Sequence, residues 1–489
     1  MSTDRFTGQS LQIASKALAH KEPSLWGERA RPTAMERLGW IDLPEKSREL
    51  LPTLDALSAW ARSEHRNRFV LSGMGGSSLA PEVISASFTH SPGEGLVILD
   101  STHPEDVKGV LEVDPKRTLF IISSKSGETI ETLSHLKVIV ERLGQANLHV
   151  ADHVLVITDP ASPLAKWATD NQVRIFYGEP TVGGRFSALS IFGLLPAALL
   201  GADCATLLDD AAEMKSILCN SSESNLALQL SQEIIESQPF LKLPNTPLSD
   251  WIEQLVAEST GKDGTGIIPV ISSDAQLLPT VRESLQLPLG AAFYLWEWTT
   301  ALLGYLLQVN PFDQPDVAGA KEGTKRALSN ALPLGEETIK SSAELLSYLE
   351  ALQKSSSNAL AHSDGYLAIL AFVPSRAGAI RNAILSIRQG LHHKFGSRTP
   401  ITLGFGPRYL HSTGQCHKGG PVNGLFLILT LDEESDLPIP GVDYGFQDLQ
   451  MAQARGDFHA LEKLGRQVVH AHLSRVELEV LSRALHVTS

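Results

Sequence analysis

A chain of 489 residues, 43% hydrophobic and 20% charged, is long enough for more than one buried core and ordinary in its balance. Its formal net charge of −14 excludes a general nucleic-acid binder, which needs a basic face, while leaving room for an anionic small ligand held by a local cluster of Lys and Arg. Three cysteines (Cys204, Cys219, Cys416) exclude a disulfide framework and point to a reducing cytoplasm. The polar start has no signal-peptide core, and the two greasiest stretches, 188–200 and 289–309, are too short or broken by Glu297 to span a membrane.

Residues 1–50 read as a helical preamble, continued over 47–62 by Leu50, Leu51, Leu54, Leu57 and Trp60. Phe69 to Leu71 is a buried strand. The glycine-rich turn that follows, Ser72-Gly-Met-Gly-Gly-Ser-Ser-Leu79, precedes a helix at 81–87 and lets backbone approach a ligand closely. Its glycine spacing matches neither the dinucleotide fingerprint nor a Walker loop. Further strands at 96–99, 119–122 and 154–157 alternate with helical segments, which predicts a parallel, doubly wound sheet. Ligands of such sheets gather at the carboxyl ends of the strands. There the stretch 118–132 turns from strand to helix through Ser124, Ser126, Thr129 and Thr132, a geometry suited to a phosphate. An ordinary helix cap is the alternative reading on this stretch alone, although four hydroxyls exceed what one cap needs.

Arg185 follows two glycines in a turn at 181–187, and on spacing alone it reads as a surface-loop residue. Residues 205–250 read as a helix and a polar linker. A second α/β unit is then expected to begin, with a helix over 251–260 that sets Gln254 and Glu258 four apart on one face. A turn, a strand at 267–271 and a long apolar helix at 289–309 follow, with Lys321 on the next helix. After a polar stretch come a strand at 366–373, a helix at 377–391, a Gly/His-rich loop at 403–421, a strand at 425–431 and a mostly helical tail at 446–485.

Five motifs occur here in one order: Gly73-Met-Gly-Gly-Ser77, Ser124-Lys-Ser-Gly-Glu-Thr129-Ile-Glu-Thr132, Gly183-Gly-Arg185, Gln254-x-x-x-Glu258-Ser-x-Gly-Lys262 and Phe312-Asp-Gln314-Pro-x-Val-x-x-x-Lys321. Together they resemble the glucose-6-phosphate isomerase family, proteins of two sugar-isomerase (SIS) domains. The tail Gly406-Pro-Arg-Tyr-Leu-His411-Ser-Thr-Gly-Gln-x-His417-Lys-Gly-Gly-Pro421 resembles more closely the isomerase half of bifunctional transaldolase/glucose-6-phosphate isomerases. No transaldolase activity is expected of this chain.

The resemblance implies an α/β protein of two SIS-type doubly wound parallel-sheet domains with helical N-terminal and C-terminal extensions. The expected bounds are 1–50 for the N-terminal segment, 51–205 for the first SIS domain, 206–400 for the second and 401–489 for a C-terminal loop and helical segment. The implied function is reversible isomerisation of glucose 6-phosphate and fructose 6-phosphate through an enediolate, without cofactor or metal, with a homodimer as the family's habit. Glu258 would be the base. Arg185 would stabilise the enediolate, and Lys321 would assist ring opening. Gly76, Gly184, Gln254 and Gln314 would hold the sugar and the carboxylate, and Ser77, Ser124, Lys125, Ser126, Thr129 and Thr132 the phosphate. The family generally opens the ring with a histidine, yet none lies between His153 and His362. His411 or His417 is expected to substitute. The alternatives are an isomerase that also accepts mannose 6-phosphate, and a non-catalytic sugar-phosphate sensor.

Overall fold

The computed structural model describes residues 8–87, 95–220, 225–316, 324, 327–329, 338–355, 359–376, 378–396, 399–432 and 435–487. Two compact units emerge. The first takes Met1–Asp100, Val110–Thr260 and Gly266–Asp313; the second takes Ser101–Gly109, Gly261–Thr265 and Gln314–Ser489.

The first unit is built on a parallel sheet of β1 (Arg68–Gly73), β2 (Gly95–Leu99), β3 (Thr118–Ser123), β4 (Val154–Thr158) and β5 (Arg174–Tyr177), in the order β2-β1-β3-β4-β5. All of β3 and β4, and β1 beyond Arg68, are buried, as near-continuous apolar runs are when helices cover both faces. The edge strand β5 has no fully buried residue, although Phe176 packs partly against the core. Because β2 lies on one side of β1 and β3 on the other, the turns leaving β1 and β3 diverge. A crevice opens between them at the carboxyl ends.

Helix α1 (Leu51–Ser63) leads into β1, and α2 (Ile130–Gln145) leaves β3. Helix α3 (Pro247–Thr260) and the almost wholly buried α4 (Leu289–Leu307) pack together in this same unit. The preamble is tied to α4. Trp26 Nε1 donates to the Ala301 carbonyl (2.8 Å), Trp298 Nε1 to Ser15 Oγ (3.0 Å), and the Tyr294 hydroxyl to the Ile41 carbonyl (3.0 Å). Buried indoles and phenols need such partners.

Residues 205–250, expected as a helix and a polar linker, do begin with a helix, Cys204–Cys219, but the linker part holds a second helix, Leu226–Glu236, and a strand, β6 (Phe240–Leu243). Asn225 starts the second helix, its Oδ1 accepting from the Ala227 N–H (3.0 Å), and Ala227, Leu230 and Ile234 bury one face. Strand β6 pairs with β7 (Ile268–Ile271) in a small sheet of the first unit, so no second unit begins at residue 251.

The second unit's sheet is parallel, ordered β11-β10-β8-β9, from β8 (Tyr366–Phe372), β9 (Ile401–Phe405), β10 (Gly424–Leu431) and β11 (Gln467–Leu473). A boundary at residue 400 would cut this sheet in two. The expected loop at 403–421 contains part of β9, a 3₁₀ turn (Arg408–His411) and a short helix (Gly414–Gly419). The expected helical tail is interrupted by β11. Gly465 (φ 69°) follows the helix Phe446–Lys463, and the alternate residues His470 and His472 both meet Thr430 Oγ1 (2.8 Å each).

Two short stretches of early sequence belong to this unit. In one, the Asp106 carboxylate accepts from the Ser375 N–H and Oγ (2.9 Å each) and the Arg376 N–H (3.0 Å), and Thr102 Oγ1 donates to Gln453 Oε1 (2.8 Å). In the other, Gln415 Nε2 donates to the Gly261 carbonyl (3.0 Å). Among the described residues no helix is long and apolar enough to cross a membrane.

Candidate active site

At the carboxyl end of β1 the chain turns through Gly75–Ser77, with Gly75 in the left-handed region (φ 55°). A Cβ on Gly76 would lie 2.1 Å from the Gly184 carbonyl oxygen and 2.8 Å from the Arg185 nitrogen, so only glycine lets these two turns touch. Gly76→Ala is therefore expected to cost about 1–3 kcal/mol by overpacking and to displace Arg185. A thermal melt coincident with wild type would contradict this.

Arg185 is buried, contrary to the surface-loop reading. Its Nε donates to Ser259 Oγ (2.7 Å), Nη1 to Glu258 Oε1 (3.1 Å), and Nη2 to the carbonyls of Pro311 (2.6 Å) and Asp313 (2.9 Å). Burial lowers its pKa, and Glu258 and Asp313 oppose the shift. Gln254 and Glu258 share one face of α3, as their spacing requires, and Gln254 Nε2 donates to Glu258 Oε2 at 3.0 Å. Each oxygen of the Glu258 carboxylate thus has one fixed donor and keeps a second lone-pair site. The side chain is aimed rather than loose. Of the residues that hold Arg185, Ser259 and Asp313 are spelled in the quoted motifs without a role assigned to them there, and Pro311 adjoins one of those motifs.

The hydroxyl-lined turn lies at the end of the neighbouring strand, Gly73 being paired with Ser123. Ser124 Oγ lies 2.9 Å from Thr129 Oγ1 and accepts from the Gly127 N–H at 3.1 Å; Gly127 adopts φ 67°. Ser126 is exposed and accepts from the Glu128 N–H (3.3 Å), while Ser77 is buried. Thr129 occupies the N-cap position of α2 without a side-chain capping bond, at the end of the helix where the first N–H groups and the positive end of the dipole lie. Two expected phosphate ligands are placed differently. Lys125 Nζ is held by both oxygens of Asp159 (2.8 and 2.6 Å) and the Glu179 carbonyl (3.2 Å), so its charge is matched within the protein. Burial lowers its pKa and Asp159 opposes the shift. Thr132 points inward, its Oγ1 shielded from solvent and without a hydrogen-bond partner among the described residues.

Gly184 is in the Arg185 turn, its carbonyl accepting from Ser187 Oγ (2.6 Å). Gln314 and both histidines belong to the second unit. Gln314 is exposed and His411 half-buried. His417 is a core residue, its ring 5.2 Å from Phe426 and 5.9 Å from Tyr409. Burial, helped by Lys418 and Arg466, pushes its pKa down to about 3, which removes it as a proton donor at neutral pH. Lys321 lies outside the described residues. No group of three or more His, Cys, Asp or Glu with metal-holding geometry occurs among the described residues.

A carboxylate aimed by a guanidinium and an amide, beside a crevice whose far lip suits a phosphate, fits the class of enzymes that isomerise phosphorylated sugars. The profile of the family described as phosphoglucose isomerase matches residues 57–238. A Thermus thermophilus protein named glucose-6-phosphate isomerase is 30% identical over 401 residues, covering 62% of this chain and 93% of that one. A Carboxydothermus hydrogenoformans protein of the same name is 30% identical over 249 residues, 46% of this chain and 53% of that one. In fold, the crystal structure of a Chlamydia trachomatis glucose-6-phosphate isomerase superposes with a TM-score of 0.51 at 17% identity, over 71% of this chain and 89% of that chain. The chain belongs to the glucose-6-phosphate isomerase family.

Proposed function

We propose that this protein interconverts glucose 6-phosphate and fructose 6-phosphate, with Glu258 carrying the proton between C1 and C2. The arrangement that supports the reading best is the carboxylate of Glu258 held from both sides by Arg185 and Gln254. In the open-chain aldose, Glu258 takes the C2 proton and electron density moves onto the C1 oxygen, giving an enediolate. Return of the proton to C1, with the O2–H proton passing to O1, gives the ketose. The fixed charge of Arg185 stabilises the enediolate as it forms. The phosphate anchors the far end of the substrate on Ser77, Ser124, Ser126, Thr129 and the free N–H groups at the start of α2.

A coupled assay of fructose 6-phosphate conversion tests the reaction, and a parallel arm with mannose 6-phosphate tests the dual-specificity alternative. Absence of turnover with both sugars would leave the sensor reading standing.

We assign ring opening to His411 rather than His417, whose burial beside Lys418 and Arg466 disfavours the protonated imidazole. His411→Ala is expected to slow turnover of the cyclic sugar at least tenfold, the low end of a positioned acid–base group, while sparing an open-chain analogue. His417→Ala is expected to lower the melting temperature and leave the ratio of the two rates unchanged. Equal loss on both substrates in His411→Ala would remove it from ring opening. The enzyme is proposed to work in the cytoplasm, where its three free thiols stay reduced, and as a homodimer, which sedimentation would check.

A further inference from the structure

At the end of the first sheet opposite the hydroxyl turn lies a cavity of about 440 Å³ lined by Arg62, His65, Arg66, Asn67 and Arg117. Asn67 and Arg117 immediately precede Arg68 and Thr118, which pair at the start of β1 and β3. The cavity is thus separated from the turn by the length of a strand, roughly 17 Å at 3.3 Å per residue. In a chain of net charge −14, three arginines and a histidine converge here.

The local bonding of Arg62 and Arg66 leaves their positive charge without a carboxylate partner among the described residues. Helix α1 ends with His65 in the left-handed region (φ 55°), the His65 N–H donating to the Arg62 carbonyl (3.0 Å) and the Arg66 N–H to the Ala61 carbonyl (2.8 Å). Glycine is the usual residue at such a helix end, and here an imidazole stands on the cavity wall. The His153 Nδ1–H donates to the Thr118 carbonyl (3.2 Å), which leaves Nε2 to accept from Arg66 Nη2 (3.1 Å). That is the only side-chain hydrogen bond of Arg66 among the described residues. Its Nε is shielded from solvent and has no acceptor. Glu64, Asp114 and Asp152 influence Arg66 from a distance, but among the described residues none closes an ion pair with it or with Arg62. A partly buried guanidinium without a carboxylate is unfavourable until an anion arrives.

We propose that this cavity is a second anion site that binds a chain of phosphates, free or as the polyphosphate end of an ester. Arg62 and Arg66, with His65 and Asn67 beside them in the lining, spread donors more widely than one phosphate dianion needs and suit phosphoryl oxygens on several groups. The volume falls in the range of small-ligand pockets. Among the described residues no Phe, Tyr or Trp lines it, and the side chains that do are mainly the cationic donors that phosphoryl oxygens need. Nothing in the proposal depends on the reaction assigned to Glu258.

The test titrates inorganic tripolyphosphate, and separately ATP without magnesium, into the full chain by calorimetry. Wild type is compared with Arg62→Gln, Arg66→Gln and a Ser124→Ala/Thr129→Ala variant of the hydroxyl turn, each checked by thermal melting. One binding event is expected to survive in the turn variant, and to weaken about tenfold or more in Arg62→Gln and in Arg66→Gln, the loss that goes with one charged hydrogen bond. Arg62 sits on an exposed helix end, so that variant remains decisive should Arg66→Gln unfold. Equal affinity for the two ligands supports a site for the phosphate chain from either source; tighter ATP binding supports an ester as the natural occupant. Loss of all binding in the turn variant, or unchanged affinity in Arg62→Gln, overturns the proposal.

Discussion

Glu258→Gln is expected to lower turnover in both directions by about 10²–10⁴-fold, the contribution of a positioned general base, with KM little changed. Glutamine has the shape of glutamate, and Gln254 can turn its own amide to meet it. Arg185 keeps its bonds to Ser259, Pro311 and Asp313. What disappears is the group that accepts a proton from carbon. The substitution also leaves the buried guanidinium without its carboxylate, a change that costs about 3–5 kcal/mol in comparable buried pairs. Turnover must therefore be measured well below the melting temperature of the variant. In deuterium oxide, wild type is expected to place deuterium at C2 of product glucose 6-phosphate. A variant that keeps more than a tenth of wild-type turnover would show that Glu258 is not the base.

Arg185→Ala is expected to reduce kcat/KM by about 10²–10³-fold, the loss typical of removing one donor to a developing oxyanion. It is also expected to destabilise the fold by about 3–5 kcal/mol, because Glu258 then stays buried with only Gln254 to meet it. Arg185→Lys separates the two effects. A lysine keeps the charge but cannot reach Ser259, Glu258 and two carbonyls at once, so it should recover part of the stability and little of the rate. If Arg185→Ala melts early yet turns over normally in the cold, the guanidinium is a strut and the enediolate is stabilised by another group.

The parts legible in the sequence were those with one dominant local signal. The strands β1, β3 and β4 are unbroken apolar runs, and Gln254 and Glu258 share a helix face because four residues separate them. Arg185 shows what local reading misses. Two preceding glycines suggest a loop at the surface, whereas four partners from 73 to 128 residues away bury it. Lys125 is likewise held by a residue distant in sequence, Asp159, 34 residues away. Thr132 has the right chemistry at the right spacing, but as the third residue of α2 it faces the interior. Strand β11 was hidden because His470 and His472 alternate with Val469, Ala471 and Leu473, and the two imidazoles find partners only from distant sequence, Thr430 for both and Asp432 for His472.

The anchoring of Asp106 by Ser375 and Arg376 has a consequence for how the protein is made. The carboxylate leaves the ribosome 269 residues before the first of its partners. At about 5–20 residues per second it waits roughly 15–50 s with its acceptors open. During that interval the nascent first unit must carry an unfinished segment within its own span, and chaperone engagement or delayed compaction at 101–109 is expected until Ser375 is synthesised.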